Sequence, residues 1–416
     1  MLRIIDQQQA EKLLQRRKAR LTEAEGVVGP ILEDVRRRGD KAVLKYARRL
    51  DDLDPSLKTV EVPRERIQQS YDELPAEFLR ALRQASKNIR DFARTQLPKT
   101  KMQRFADGQR AGQIVRPLDA MAAYIPSGRY PLPSTLLMTL IPAQVAGVPR
   151  TCVASPRPSV EILGTAQYLN AGRVFQMGGA HAIAAFAFGT ETIPKVERIV
   201  GPGNIYVAAA KKLLAGEVGI DFVAGPTEIL IIAEDGDPKV LAADMLAQAE
   251  HDVHAAAILV TTSKRLAAAV AAEVELQLRT LPTAPVARAA INRNSAVILV
   301  GSVSRALELS NRFAPEHLSL PSATLLSRVT SAGSVFIGPH SPEAAGDYAS
   351  GPNHVLPTSG FARVRAGLSA ADFVKVITVQ ELTRPALQRL APAITTLARA
   401  EGLEAHARSV EVRVRG

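Results

Sequence analysis

The sequence is poor in the residues on which small extracellular domains and nucleic-acid readers depend. It has no Trp, only 4% aromatic residues and a single cysteine, Cys152, among 416 residues. One cysteine excludes an intrachain disulfide framework and fits a reducing compartment. Because aromatics are scarce, Leu, Val, Ile and Ala must fill the core, and a hydrophobic share of 46% allows two or more packed domains.

Long apolar runs are also absent from the sequence. No stretch approaches the roughly 20 apolar residues that a membrane-spanning helix needs. Residues 1–20 are polar and are typical of a helix rather than of a signal peptide. The sequence therefore predicts a soluble, cytoplasmic protein without a membrane partner.

The charge balance is basic, with 52 Lys and Arg against 41 Asp and Glu. These basic residues are spread along the chain and are not interleaved with the stacking aromatics that single-strand binding requires. We therefore expect a basic surface that attracts anionic cofactors, and no nucleic-acid partner.

Strand and helix patterns alternate through the middle of the chain, which indicates βαβ units. Apolar, β-branched runs separated by Ala- and Leu-rich helical stretches occur at Thr151–Ala154, Arg198–Val200, Ile229–Ile232, Ala257–Thr261 and Ala296–Val300. The predicted fold class is α/β, with two Rossmann-like units built on mainly parallel sheets. We expect a helical segment with short strands at 1–119, the two units at 120–226 and 227–378, and a helical tail at 379–416.

Three glycine-containing turns follow apolar runs in the first predicted unit. They are Pro126–Gly128, Gly178–Ala180 and Gly201–Asn204. Ligands of α/β sheets bind beyond the carboxyl ends of the strands, so such turns should lie near the chemistry. None of them completes G-x-G-x-x-G, so they could be dinucleotide-binding turns or merely tight turns.

Two pairs of polar residues have spacings suited to metal binding or proton transfer. Gln248 and His251 lie three residues apart on a helix, where they could share a metal ion or form an ordinary pair. Glu316 and His317 follow Pro315 on a bend; they could orient a water and accept a proton, or simply cap a helix and fill a half-buried position.

The remaining candidates lie in a loop and in the C-terminal helical region. Asp347 and His354 belong to the segment GDYASGPNH, where Asp347 is a plausible hard ligand for zinc, although a polar Ω-loop without chemistry has the same composition. Glu401 and His406 lie in EGLEAH, and His406 taken alone resembles an ordinary surface histidine.

Taken together and in order, these segments resemble the histidinol dehydrogenase family over nearly the whole chain. The motifs that carry the resemblance are AYIPSGRYPLPSTLLM, GGAHAIAAFAFGTETIP, VGPGNIYV, DFVAGPTEIL, AQAEH, RFAPEHL, AAGDYASGPNHVLPTSG and EGLEAHA. The resemblance implies NAD and one zinc ion per site as cofactors. It implies an intertwined homodimer in which His406 and Glu401 reach across the interface.

The resemblance also implies a role for each candidate residue. The implied zinc ligands are Gln248, His251, Asp347 and His406, and the implied acid–base pair is Glu316 and His317. The implied substrate contacts are Thr227, Gln248, His251, His317, Asp347, His354, Glu401 and His406. The implied NAD contacts are Tyr124, His181 and Asn204. The chain departs from the family pattern at His181, where Gln is usual, and at Ser127, where Gly is usual.

The implied reaction is the oxidation of L-histidinol through L-histidinal to L-histidine with two NAD. His317 would accept the hydroxyl proton and Glu316 would activate water for the second oxidation. A sister branch that oxidises sulfonated diols shares the zinc and proton-transfer motifs, but Glu228 and Tyr348 are more similar to the histidinol branch. A non-catalytic zinc-binding or nucleic-acid-binding protein on the same scaffold is the third alternative.

Overall fold

The computed structural model describes residues 2–6, 8–10, 21–105, 108–127, 130–223 and 225–415. The chain forms two compact units. The first unit comprises Met1–Gln96 and Asp119–Phe373, and the second comprises Leu97–Leu118 and Val374–Gly416. Gly128 of the first predicted turn lies outside the described residues.

The regular elements alternate between strand and helix from residue 120 onward. The strands are β1 (Arg3–Ile5), β2 (Lys101–Arg104), β3 (Gln109–Pro117), β4 (Ala120–Tyr124), β5 (Arg150–Ala154), β6 (Arg173–Phe175), β7 (Arg198–Val200), β8 (Gly219–Ile220), β9 (Glu228–Ile232), β10 (Ala256–Thr261), β11 (Ala296–Leu299), β12 (His317–Leu320), β13 (Ser334–Ile337) and β14 (Val374–Leu382). The α-helices are α1 (Leu21–Arg38), α2 (Asp40–Leu50), α3 (Arg64–Asp72), α4 (Ala76–Thr95), α5 (Pro133–Ala146), α6 (Val160–Tyr168), α7 (Gly179–Phe188), α8 (Ile205–Leu214), α9 (Pro238–Ala249), α10 (Lys264–Gln277), α11 (Ala284–Asn294), α12 (Val303–Phe313), α13 (Glu343–Tyr348), α14 (Arg384–Ala400) and α15 (Glu404–Val414).

The first unit contains a five-stranded parallel sheet with the order β6-β5-β4-β7-β8. Strand β4 comes first in the chain and lies in the middle, so the strand order reverses between β4 and β7. Every residue of β4 is buried, as expected of a strand with helices on both faces. The reversal makes the carboxyl ends of β4 and β7 the expected place for a ligand crevice.

The first unit also contains a six-stranded parallel sheet with the order β1-β11-β10-β9-β12-β13. Here β9 is the strand at which the order reverses, with β10 on one side and β12 on the other. All residues of β9 and β10 are buried. The apolar, β-branched runs of the first predicted unit therefore belong to the five-stranded sheet, and those of the second predicted unit belong to the six-stranded sheet.

Local capping chemistry sets several helix ends near these sheets. Asn204 caps α8, where its side-chain oxygen accepts hydrogen bonds from the backbone N–H groups of Tyr206 and Val207 at 3.0 and 3.1 Å. Helix α12 ends at Phe313; its C-cap, Ala314, has a φ of 52°, and Pro315 follows. Because proline cannot continue the helix, the chain turns there and enters β12 two residues later.

The second unit has an antiparallel sheet of order β14-β3-β2 together with helices α14 and α15. Strand β14 continues to Leu382, so the C-terminal helical region begins at Arg384. The α/β fold class with mainly parallel sheets is confirmed, whereas the intertwined dimer remains a prediction. Within the described ranges, no helix has both the length and the apolar character needed to cross a bilayer.

Candidate active site

The predicted acid–base residues lie where two neighbouring strands of the six-stranded sheet, β9 and β12, begin. Glu316 directly precedes β12, His317 is its first residue, and His317 is in register with Ile229 of β9. These residues therefore lie at the amino edge of this sheet. That edge is opposite to the one that the general rule for α/β sheets predicts.

Glu316 is buried and held by two donors from the start of β9. The Thr227 hydroxyl and the Glu228 backbone N–H both donate to its Oε2, at 2.6 and 2.9 Å. Burial raises the pKa of Glu316 well above its usual value, and the two hydrogen bonds oppose that rise only in part. A carboxyl group with a raised pKa can both give and take a proton near neutral pH.

His317 is buried with its two ring nitrogens in different surroundings. Nδ1 lies 3.1 Å from the Glu228 backbone oxygen and 3.1 Å from Glu343 Oε1. Nε2 is buried without a hydrogen-bond partner among the described residues, and its nearest ionic neighbour is Asp347 Oδ1 at 3.8 Å. Burial lowers the pKa of His317 to about 3, so the ring is neutral at pH 7. A proton on Nδ1 would leave the Nε2 lone pair free to accept one.

A group of potential metal ligands surrounds Asp347. The ligand atoms of His251, Glu343 and Asp347 all lie within 4.8 Å of one another, and His251 Nε2 is 3.8 Å from Asp347 Oδ2. The side-chain amide of Gln248 contacts Thr227 Oγ1 at 2.8 Å and also the Glu343 carboxylate. Three of the predicted ligands, Gln248, His251 and Asp347, therefore lie together around Glu343.

The electrostatics of this group favour a bound cation. Burial raises the pKa of Asp347 to about 7. Burial, and then the negative charges of Asp347 and Glu316, raise the pKa of Glu343 well above its usual value. Like charges crowded into a poorly solvated space are unfavourable unless a cation neutralises them. Imidazole nitrogen with carboxylate and amide oxygens is a donor set that suits zinc, so the residues fit that ion.

Glu343 is a site residue that the sequence reasoning missed. It lies four residues before Asp347 on α13, a spacing that puts both carboxylates on one helix face. That spacing was the available signal. Glu343 is nevertheless buried, with a side chain only 3% exposed, which sequence composition alone does not reveal.

His354 connects this group to the five-stranded half of the first unit. Its Nδ1 lies 2.7 Å from the backbone oxygen of Asp347, and its Nε2 lies 3.4 Å from Thr135 Oγ1 on α5. The neighbouring Asn353 donates to the Met138 backbone oxygen at 2.6 Å. The loop after α13 therefore places His354 between the two sheets.

The predicted cofactor contacts lie at the carboxyl edge of the five-stranded sheet. Tyr124 ends β4 and is buried, and its hydroxyl accepts a hydrogen bond from the Gly179 N–H at 3.2 Å. Gly201 follows β7 with a φ of 114°, and a Cβ there would collide with the Tyr124 backbone oxygen. Tyr124, Gly179 and Gly201 therefore form one continuous wall at the point where the strand order reverses.

The other two predicted cofactor contacts differ in exposure. Asn204 is exposed, and its side chain caps α8. His181 is fully buried, and its Nε2 lies 2.8 Å from Asp51 Oδ2. The imidazole of His181 thus faces the protein interior and not the solvent.

Comparison with known proteins identifies the family of the chain. The family model for histidinol dehydrogenase matches residues 14–414. The chain belongs to the histidinol dehydrogenase family. It is 44% identical over 403 residues to the histidinol dehydrogenase of Geobacter metallireducens, covering 95% of this chain and 92% of that one. It is 43% identical to that of Methanothermobacter thermautotrophicus, covering 99% and 98%.

Solved structures agree with this assignment. The crystal structure of histidinol dehydrogenase from Elizabethkingia anophelis superposes with a TM-score of 0.95 at 36% identity, covering 100% of this chain and 98% of that one. An acetylating aldehyde dehydrogenase from Geobacillus thermoglucosidasius has a TM-score of 0.51 at 11% identity over 90% of this chain and 97% of that one. The second likeness shows the fold alone.

Two candidate residues belong to the second unit of the chain. Glu401 follows α14, and His406 lies in the first turn of α15. Both residues are exposed in the single chain. Their assignment to the site of a neighbouring subunit stays a prediction.

Proposed function

We propose that this protein oxidises L-histidinol through L-histidinal to L-histidine, using two NAD for each turnover. The single observation that carries the proposal is the buried His317 ring, whose Nε2 has no hydrogen-bond partner among the described residues and lies 3.8 Å from Asp347 Oδ1, while its Nδ1 lies 3.7 Å from Glu316 Oε2. An alcohol oxidation needs such a proton acceptor next to a site that fixes the substrate.

The proposed zinc ligands are Gln248, His251 and Asp347 of one subunit together with His406 of the partner subunit. Bound zinc would supply a positively charged template that orients the substrate's imidazole and amine. The proposal is supported by the three donor types that meet in one chain and by the exposure of His406. Thr227 and His354 of the first subunit and Glu401 of the partner subunit would contact the substrate as well.

In the first oxidation, His317 would take the hydroxyl proton at Nε2. The Glu228 backbone oxygen holds Nδ1 at 3.1 Å and so fixes the ring plane and the tautomer. Because burial lowers the pKa of His317 to about 3, the ring is neutral at pH 7, and Nε2 can accept a proton in nearly every molecule. NAD supplies the hydride acceptor in both oxidations.

In the second oxidation, Glu316 would remove a proton from the water that adds to the aldehyde. Thr227 and the Glu228 N–H hold one carboxylate oxygen, Oε2, which leaves Oε1 to face the water. Its raised pKa makes Glu316 a stronger base than an exposed carboxylate. His317 would then be free to act again on the hydrate.

We assign the cofactor to the part of the chain at 120–226 and the metal and acid–base residues to 227–378. The wall of Tyr124, Gly179 and Gly201 supports an NAD site at the carboxyl edge of the five-stranded sheet. Asn204 lies beyond this wall and is accessible to a ligand.

Steady-state NADH formation tests the proposal directly. The purified, zinc-loaded protein is assayed with L-histidinol and, in parallel, with a dihydroxypropane sulfonate. We expect two NADH for each histidinol and no turnover of the sulfonate. Turnover of the sulfonate alone would assign the chain to the sister activity, and no NADH with either compound would refute the proposed oxidation.

A further inference from the structure

A buried, hydrogen-bonded pair of side chains, Asp51 and His181, lies at the predicted cofactor edge, and the proposed reaction gives it no chemical role. The Asp51 carboxylate and the His181 imidazole lie 2.8 Å apart, with side chains 6% and 0% exposed. The same Asp51 oxygen accepts a hydrogen bond from the backbone N–H of Gly178 at 2.8 Å. One carboxylate oxygen therefore holds both the turn after β6 and the first turn of α7.

Asp51 reaches this position because it directly follows the end of helix α2. Helix α2 stops at Leu50, and the Asp51 N–H still bonds to the Ala47 oxygen at 2.9 Å. Asp52 then has a φ of 56°, which turns the chain away in the left-handed region. Downstream of that turn, the Val62 N–H donates to the Val174 oxygen at 2.9 Å and the Gln176 N–H donates to the Val60 oxygen at 2.7 Å, which ties this segment to the edge strand β6.

The close approach of Asp51 to the turn after β6 requires glycine at position 178. A Cβ at Gly178 would lie 2.6 Å from Pro156 Cβ and 3.1 Å from Asp51 Oδ1, so a larger residue would overlap Pro156 and crowd the carboxylate. The next N–H, that of Gly179, donates to the Tyr124 hydroxyl. Two consecutive N–H groups of this turn are thus fixed by Asp51 on one side and by Tyr124 on the other.

His181 is the second group, after the Gly178 N–H, that contacts Asp51 Oδ2. Its ring packs against Tyr46 with centroids 5.8 Å apart, and its Nδ1 is buried without a hydrogen-bond partner among the residues described. The imidazole is therefore committed to Asp51 through Nε2. Through this contact with Asp51, His181 helps to hold the turn.

We propose that Asp51 is a positioning residue for the dinucleotide: it holds the Gly178–Gly179 turn, through Gly178 and His181, in the position that NAD requires. The inference rests on the proposed function, because it takes NAD as the ligand of this edge. Asp51 itself is buried beneath the turn.

Calorimetric titration of the full-length protein with NAD tests the proposal without relying on turnover. Asp51→Ala is expected to raise the Kd for NAD at least tenfold, while the KM for histidinol and the zinc content stay near their wild-type values. Asp51→Asn keeps an oxygen that can accept both hydrogen bonds, so it is expected to stay within threefold of the wild type. Asp51→Glu keeps the charge but displaces it by one methylene, and it is expected to raise the Kd severalfold.

Glu61→Ala is the matched control. It removes a two-point ion pair with Arg173 on β6, in the same part of the chain but away from the turn. It is expected to lower Tm without changing the Kd for NAD. If Asp51→Ala does not fold, Asp51→Glu decides the question by the same titration.

An unchanged Kd in folded Asp51→Ala or Asp51→Glu would overturn the inference and leave the proposed function intact. An equal rise in Kd for Glu61→Ala would also overturn it, because the effect would then be general loosening. Failure of the wild-type protein to bind NAD would defeat the proposed function and the inference together.

Discussion

Replacement of His317 by Asn isolates the proton-accepting role assigned to its Nε2. The Asn amide can still donate to the Glu228 backbone oxygen, which His317 Nδ1 approaches at 3.1 Å, so the contact to β9 is retained. The substitution removes the buried Nε2 lone pair that lies 3.8 Å from Asp347. Loss of a general base slows the chemical step by roughly 10²- to 10⁴-fold. At about 1.4 kcal/mol for each tenfold change, the barrier rises by about 3–5 kcal/mol.

Stopped-flow absorbance of NADH measures this effect, with histidinol as substrate and in the presence of zinc. Zinc content and Tm are measured on the same preparation, and both are expected to stay close to the wild-type values. His340→Asn is the control, because His340 is exposed in the loop after β13. Wild-type rates for NADH formation in His317→Asn would refute the assignment of the proton acceptor.

Three further predictions address the charges buried in the first unit. Glu343→Gln removes a buried carboxyl group beside Asp347. At a pH above the raised pKa of Glu343, where this group is charged, Tm of the metal-free protein should rise by a few degrees while the stabilisation added by zinc becomes smaller. Calorimetric scans with and without zinc check this, and a lower metal-free Tm at that pH would contradict it. Lys211→Met leaves Asp221 buried without the ammonium group that now lies 2.7 Å away, so the free energy of unfolding should fall by about 3–5 kcal/mol. Urea unfolding measures this, and a fall below ~1 kcal/mol would be inconsistent with a buried ion pair. The pKa of Asp347 in the folded protein, about 7, lies above its value in the unfolded chain. The contribution of Asp347 to stability is therefore fully present below about pH 4 and is lost as the pH rises through 7. Metal-free Asp347→Asn should lack that part of the pH dependence of Tm, and profiles identical to the wild type would argue against the raised pKa.

The sequence predicts the parts of the fold that depend on local pattern. Apolar β-branched runs such as Thr151–Ala154 and Ala257–Thr261 lie in the buried strands β5 and β10. Their alternation with helices is enough to predict parallel sheets, because parallel strands need crossover connections. The predicted helical tail begins later than expected, because β14 pairs with β3 as far as Leu382.

The sequence predicts less of the candidate site, because burial and strand order are not local properties. The residue types at Gln248, His251 and Asp347 suggest a metal, but only the packing of α13 beside the end of α9 brings Glu343 into the same group. The sequence predicts a bend after Pro315 that leads into an apolar strand, but it does not predict which strands lie beside β12. Packing alone places β12 beside β9, and so brings Glu316 against Thr227 and Glu228 at the start of β9.

The burial of His181 and its contact with Asp51 could not be predicted from the sequence either. Its position in the GGA turn suggests a cofactor contact, and the family resemblance implies one. Its partner Asp51 lies 130 residues earlier, so no local pattern could predict a fully buried ring held by that carboxylate. The contact depends on how the end of α2 packs against the turn after β6.

The central claim is that donors far apart in the sequence bind one zinc ion beside the proton acceptor, and zinc-edge anomalous diffraction from crystals grown with zinc and histidinol tests it most directly. The account predicts one ion per site, bound by Gln248, His251 and Asp347 of one chain and by His406 of the partner subunit, with the substrate hydroxyl near His317 Nε2. An anomalous peak elsewhere, or His406 remote from every Asp347 when all neighbouring copies are included, would contradict it.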